Sequence, residues 1–486
     1  MPKGANLVST KWVFDVKQLV TGEVERFKAR LVARGFSQQH GVDYTETFAP
    51  TVRMDTLRMF AAMVAKEDLE CRQYDIKNAF TESHLKEEIF LAPPQGHKVK
   101  EGHVLRALRS LYGLKQAGRD WSLLLRDYMR KIGFTQSLAD PCLYIHEERQ
   151  IKVLVYVDDI AAAAPTNEGL SWFYHQLSAR FKTKPLGEIS KILGVRITRD
   201  RQHRAIYLDQ ELYLEEVCNS MGITTAKYRM RSTPAANLDS LLAARDNEKQ
   251  INAEQYSKGI GQLMYAMVLT RPDIAFTLGR LSQYMKKPVE RHGHALKWLL
   301  QYVRSTLKQK LRLGPGGAHS SQMGVYTDAD WASDKVDRKS ISGGVGMFYG
   351  GPFAWASKKQ TSVSTSSAES EYISQAMYTK LGQWAAQVWK DLGVPHYIND
   401  NKERTVQMYG DNQGALALVK NPHLHERSKH IDISHHFIRD LAEKRRLEIT
   451  YIPTQDMTAD GMTKPLGRVA HEKFRRQLGL VDSDTL

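Results

Sequence analysis

Apolar and polar positions change period several times along the 486 residues. The first long pattern is "STKWVFDVKQLVTGEVERFKARLVARGFSQ", which predicts two strands joined at Thr21-Gly22. From Cys71 to about Pro165, strand-like and helix-like stretches follow one another. They end in "VLVYVDDIAAAAP" (Val153–Pro165), an apolar hairpin with two aspartates at its centre. Residues 185–320 read as mostly helical, as in "LDQELYLEEVCNSMGI" and "RPDIAFTLGRLSQYMKK", and "PGGAH" (Pro315–His319) reads as a linker. Beyond it, "MGVYTDADWA" predicts a strand and "SSAESEYISQAMYTKLGQWAAQVWKDLGV" a long amphipathic helix ending at Gly393. "TVQMYGDNQGALALV" predicts a strand entering a helix, "HIDISHHFIRDLAEKRR" a helix and "LEITYIP" a strand, and "TADGMTK" opens a last short element. The expected architecture is two α/β units joined by a mainly helical stretch.

Charge adds a partner class. Lys plus Arg number 69 against 54 Asp plus Glu, a formal net charge of +15. That surplus favours an anionic partner, nucleic acid first and an acidic membrane surface second, with plain solubility the bland alternative. The three cysteines, Cys71, Cys142 and Cys218, are widely spaced, which excludes a disulfide framework or a cysteine-rich zinc module. No run of 18 apolar residues and no signal segment is present, so the expectation is an intracellular protein without a membrane partner.

Asp158 and Asp159, side by side between buried strands, repel each other and are costly to desolvate unless something positive lies against them. A solvated turn is one reading. A divalent ion shared with a third acid, Asp75 in "CRQYDIKNAF", is the other; two ions about 4 Å apart could activate a 3′-hydroxyl and stabilise a leaving pyrophosphate. "YVDD", together with "QYDIKNAF", "SLYGLKQAGRDW" and "KARLVARGFSQQHGVDYTETFAP", resembles the copia-type retrotransposon reverse transcriptases over about residues 7–250. That resemblance implies Asp75, Asp158 and Asp159 as ligands of Mg²⁺ (or Mn²⁺) and Phe80 as the gate against a 2′-hydroxyl. It implies Lys28 and Arg30 as triphosphate contacts, and Tyr112, Gly113 and Lys115 of "LYGLK" as packing against the nucleotide and templating base. An exposed basic strand for Lys28 and Arg30, and a core turn for Tyr112 and Gly113, stay open. The chain departs from the family pattern at Gly118 and Ser122, where relatives often carry a proline and an aromatic, and at Thr81 and Glu82. None of these is a proposed metal ligand.

The last third offers four further acids, each on a different predicted element: Asp328, Glu369, Asp411 and Asp460. Acids at strand ends and a helix start can converge at one sheet edge, as a two-metal phosphodiesterase site requires; unrelated surface acids are the alternative. "YTDADWASD", "SSAESEYIS", "GDNQGALAL", "HERSKHIDISHHFIRD" and "TADGMTKPL" resemble the ribonuclease H domain of copia-type elements over about 322–480, which implies these four as metal ligands. Asp330 lies beyond the expected strand end. Glu371 falls about 200° around the helix from Glu369 and is set aside on that ground. His423, His425, His430, His435 and His436 fit no familiar zinc spacing, and a helix end near the substrate backbone suits them better.

Together the resemblances imply an α+β or α/β chain. A right-hand polymerase of fingers, palm and thumb would occupy 1–250, beginning inside the fingers, followed by a connection at 251–320 and a ribonuclease H-like domain at 321–486. Such a chain copies retrotransposon RNA into DNA and cleaves the RNA of the RNA–DNA hybrid. Its implied partners are an RNA template, a DNA primer, the hybrid and deoxynucleoside triphosphates (dNTPs), with oligomeric state left open. The implied location is cytoplasmic, in a virus-like particle, with a nuclear stage. A decayed element that only binds nucleic acid would be expected to lack one of the seven acids, and all seven are present. An integrase core would need a DDE triad and usually an HHCC segment, and neither is seen.

Overall fold

The computed structural model describes residues 1, 4–18, 24–225, 228–245, 247–316, 323–334, 336–394, 405–420 and 432–483. The expected Thr21-Gly22 turn and His423, His425 and His430 lie outside the described residues, as do the side chains of His435 and His436. The chain folds as two compact units. One comprises 1–52 and 70–189, the other 53–69 and 190–486. The expected parts 1–250, 251–320 and 321–486 cut across these units.

The first unit is built on a six-stranded antiparallel sheet, in the order Thr183–Glu188, Glu70–Ile76, Asp159–Ala164, Ile151–Tyr156, Leu143–His146, Thr135–Gln136. Its middle strands are nearly continuous apolar runs, because helices Ala117–Lys131 and Asn167–Arg180 pack with them around Tyr74, Trp121, Leu125, Val153, Ile160 and Phe173. Thr166 caps the second helix by accepting from the Gly169 amide. The alternating amino-terminal pattern forms a two-stranded ribbon, Thr10–Gln18 against Val24–Ala33. Because facing residues share a side, Val13, Asp15, Lys28 and Arg30 line one face and Trp12, Phe14, Val16 and Phe27 the other.

In the second unit, helix Met54–Glu67 is anchored by Arg58. This buried guanidinium donates to the carbonyls of Phe353 (2.7 Å), Val268 (2.9 Å) and Leu269 (3.1 Å), pairs with Asp55 (2.8 Å) and stacks 4.0 Å from the Trp355 ring centroid. Four acceptors and a π face around one cation explain why a helix flanked in sequence by first-unit strands belongs here. The helical expectation for 185–320 holds for Glu211–Ser220, Ala253–Leu269, Ala275–Ser282 and Glu290–Ser305. It fails at Val195–Asp200, Ala205–Asp209 and Gln309–Leu313, which are strands of a five-stranded sheet. The cause is local: "VRITRD" and "QKLRL" alternate with period two, short strand signals set between longer helical ones.

A second five-stranded sheet has the order Gly351–Lys359, Ile341–Phe348, Gly324–Asp330, Val406–Gly410, Leu447–Tyr451. The first three strands are antiparallel and the last two join in parallel. Helix Ser367–Asp391 packs on this sheet and ends as its pattern predicts, with Gly393 at φ 75° and the Val394 amide donating back to the Trp389 carbonyl.

Candidate active sites

In the first unit, Asp75 and Asp159 face each other across paired strands, and Asp158 sits in the turn before Asp159. The turn forces Val157 to φ 55°, a left-handed conformation that costs a β-branched residue about 1–3 kcal/mol. Two bonds hold it there. The Trp121 indole N–H donates to the Val157 carbonyl (2.7 Å), and the Ile76 amide donates to the Asp158 carbonyl (3.0 Å).

The acids perturb one another. Burial pushes the Asp158 carboxyl up and Asp75 adds to the rise, while a backbone donor, Lys28 and Arg30 oppose it. Burial likewise raises Asp159, followed by Asp158 and Asp75, against a hydrogen bond from Gln73. The positive charge that the aspartate pair calls for therefore comes, within the protein, from the ribbon face carrying Lys28 and Arg30. Tyr112 belongs to the same neighbourhood: burial and Asp158 raise its phenol, Phe80 meets its ring edge-on at 4.8 Å, and Arg30 lies 5.9 Å from its centroid.

Gly113 has a backbone role. It sits at φ 89°, and a Cβ there would lie 2.0 Å from the Ala33 carbonyl oxygen, so the turn abuts the ribbon strand without room for a side chain. Lys115 is tied into the adjoining loop, its Nζ bonding the Gln38 carbonyl (3.3 Å) and the Tyr44 hydroxyl (3.1 Å). These bonds set its ammonium against the loop that carries Gln38 and Tyr44.

Among the described residues, one set of three acids has ligand atoms all within 4.8 Å of one another: Asp328, Glu371 and Asp411. Asp75, Asp158 and Asp159 are not drawn together so closely. Asp328 and Glu371 are only 6% and 4% exposed. Burial pushes both carboxyls up; after it Asp460 and Asp411 raise Asp328, against a hydrogen bond from Thr463, and Asp328 and Asp411 raise Glu371. Glu371 Oε1 accepts from the Ala329 amide (3.1 Å), while Oε2 is buried without a donor. Hard oxygen donors, crowded, desolvated and with one lone oxygen, are a donor set that suits a divalent cation.

Glu369 is not part of this set, and the expectation that it would be is corrected. It is the third residue of the helix, where its amide donates to the Ser366 hydroxyl (3.2 Å) and its carboxylate accepts from the Thr365 amide (2.7 Å) and hydroxyl. The 200° separation from Glu371 is real, and it is Glu371 that faces the sheet. Ser374, one turn on, confirms that face by donating to the Asp328 carbonyl (2.9 Å). A signal was available: Ser366-x-x-Glu369 has the spacing of a capping box, which assigns Glu369 to the helix start and leaves Glu371 for the site. Asp460 neighbours the set without joining it. It lies in the short turn Asp460–Met462, paired with Lys464, and Thr463 donates to Asp328 Oδ2. Burial and Asp411 raise its carboxyl while Lys464 lowers it.

Residues 1–235 match the family described as reverse transcriptase (RNA-dependent DNA polymerase). Over 99% of its length the chain is 37% identical to the retrovirus-related Pol polyprotein from transposon TNT 1-94 of Nicotiana tabacum. Over nearly its whole length the chain is thus similar to the copia-type Pol polyproteins. It is also 35% identical, again over 99% of its length, to the Pol polyprotein from transposon RE1 of Arabidopsis thaliana. It spans about a third of these relatives, 36% of the first and 32% of the second. Among solved structures, a foamy viral protease-reverse transcriptase in complex with RNA/DNA hybrid is similar over 88% of this chain and 49% of that one. At 14% identity and a TM-score of 0.46, that likeness is too distant to bear on mechanism.

Proposed function

We propose that this chain is an RNA-directed DNA polymerase that copies retrotransposon RNA into DNA and cleaves the RNA strand of the resulting hybrid. The observation that carries the first activity is the meeting of Asp75, Asp158 and Asp159 at paired strand ends inside the segment that matches reverse transcriptases. The second rests on the Asp328, Glu371 and Asp411 set, on and beside the two adjacent inner strands of a sheet whose strand order and helix suit a ribonuclease H-like fold. In this reading the ribbon belongs to the fingers and the six-stranded sheet to the palm of a right-hand polymerase.

Asp75, Asp158 and Asp159 would hold Mg²⁺ or Mn²⁺ at one site, and Asp328, Glu371 and Asp411, with Asp460 beside them, at the other. The bound ions would supply activation of the attacking oxygen and neutralise charge building on the leaving group. Lys28 and Arg30 meet the triphosphate of an incoming dNTP. Phe80, braced by Tyr112, presents a ring edge to the sugar and excludes a 2′-hydroxyl. At the second site Ala329 orients Glu371 through its amide, and Thr463 orients Asp328, so the carboxylates are positioned before substrate arrives. The net charge of +15 supports template, primer and hybrid as partners held through their phosphates.

The test is primer extension on an RNA template with Mg²⁺, with a labelled RNA strand reporting cleavage in the same reaction. Asp158→Asn is expected to remove extension and spare cleavage, and Asp411→Asn the reverse. A chain that binds hybrid yet neither extends nor cleaves would be a binding relic, and the proposal would fall.

A further inference from the structure

We infer that Trp121 is a positioning residue of the polymerase site: through its indole N–H it sets the turn that aims Asp158. The inference rests on the metal reading of Asp75, Asp158 and Asp159. Val157 is the residue between the strand and Asp158, and it is held at φ 55°, where a β-branched side chain does not settle by itself. Its side chain is partly buried against the unit core, and the carbonyl needs a restraint of its own. Behind the turn lies a small apolar cavity of about 70 Å³, lined by Gly118, Trp121, Ser122, Tyr144, Val155 and Val157. The hydrogen bond from Trp121 is therefore the directed restraint on the Val157 carbonyl, at 2.7 Å.

Trp121 is itself fixed. Its side chain is fully buried in the unit core, and its ring meets Phe181 edge-on at 5.2 Å. It rides on helix Ala117–Lys131, which follows "LYGLK" directly, so the same segment that presses Tyr112 toward Phe80 also fixes the turn carrying Asp158. A loss of the N–H should let Val157 relax toward an ordinary conformation and move the Asp158 carboxylate off its position, at a cost in metal affinity more than in nucleotide affinity.

The experiment uses the full chain in an Asp411→Asn background, so that the second acid set does not compete for metal. Mn²⁺ binding is followed by electron paramagnetic resonance, and the Mg²⁺ requirement of primer extension is measured alongside. Trp121→Phe should weaken Mn²⁺ binding and raise the Mg²⁺ needed for half-maximal extension by roughly 3- to 10-fold, with the dNTP KM nearly unmoved. Benzothienylalanine at position 121, which keeps the bicyclic ring and lacks the N–H, should do the same, and it decides the matter if the phenylalanine variant folds poorly. Val157→Asn, which accepts positive φ readily, should shrink the effect of Trp121→Phe when the two are combined. Unchanged metal binding in the benzothienylalanine protein, with Asp158→Asn abolishing it, overturns the role of Trp121 alone. Unchanged metal binding in Asp158→Asn overturns the metal reading of this site, and the inference with it.

Discussion

Asp158 and Asp159 sit at a strand turn, partly exposed, with Lys28 and Arg30 offsetting their charge. Asp328 and Glu371 sit on the central strand of a sheet and on the helix packed against it, nearly excluded from solvent, and their closest charged neighbours include a third acid. In the first set the carboxylates are spread and tempered by cations, which suits a site that completes itself when a nucleotide brings phosphates and metal together. In the second the ligands are already gathered and their repulsion is stored in the fold. The two sets thus differ in what holds the charge apart from metal: cations in one, protons in the other.

The sharpest way to break this comparison is at the helix start of the second set. Glu371→Gln should reduce RNA cleavage by two to three orders of magnitude, on the order of the loss of one preorganised charge-stabilising group. Glu369→Ala should leave the cleavage rate close to the parent and cost about 1 kcal/mol of stability, because it removes a helix-start interaction. Cleavage assays on both variants, with thermal melts, check the assignment. The opposite pattern would return Glu369 to the site.

That pair also shows where the sequence was readable. The strands, the long helix and its glycine stop were legible because period and capping are local signals. So was Asp411, which directly follows its strand, and so was the strand that carries Asp328, although that strand runs two residues past the expected end, to Asp330. Glu371 was not, because the choice between two glutamates depends on which helix face meets the sheet, and only the Ser366-x-x-Glu369 spacing bears on it locally. The strands between residues 195 and 209 were lost to neighbouring helical periodicity. The place of helix Met54–Glu67 was beyond local reading, since the carbonyls that hold Arg58 come from residues more than 200 positions away.

For the first set, the cations are the part to remove. Lys28→Gln together with Arg30→Gln should raise the dNTP KM roughly tenfold or more, about 1.4 kcal/mol of lost binding, with a smaller fall in kcat. Single-nucleotide incorporation kinetics measure this directly. An unchanged KM, with only the salt dependence of template binding altered, would make the ribbon face a plain basic strand and remove the contrast with the second set.

The smallest effect is expected in the metal-free protein, where the second set should declare itself through stability. Burial and mutual repulsion raise Asp328 to about 6 from an ordinary 3.8 and raise Glu371 above its ordinary 4.5. A folded-state pKa above the unfolded value means that the folded chain holds its protons more tightly. The associated stability is fully present below pH 4 and is lost as the pH rises through about 6 and beyond. Between pH 5 and 8 the metal-free melting temperature should therefore carry a downward contribution of at least a few degrees, about 1.4 kcal/mol from Asp328 alone and more with Glu371. Glu371→Gln, which keeps the acceptor for the Ala329 amide but cannot ionise, should flatten that slope and melt higher than the parent at pH 8. Added Mg²⁺ should restore the parent at pH 8 and do little for the variant, because a divalent cation takes over the work of the protons. The first set, already faced by Lys28 and Arg30, should show a weaker slope, so Asp158→Asn should leave the pH dependence of melting close to that of the parent. A slope that follows Asp158 instead of Glu371 would mean that the stored repulsion lies at the strand turn, and the comparison would have to be reversed.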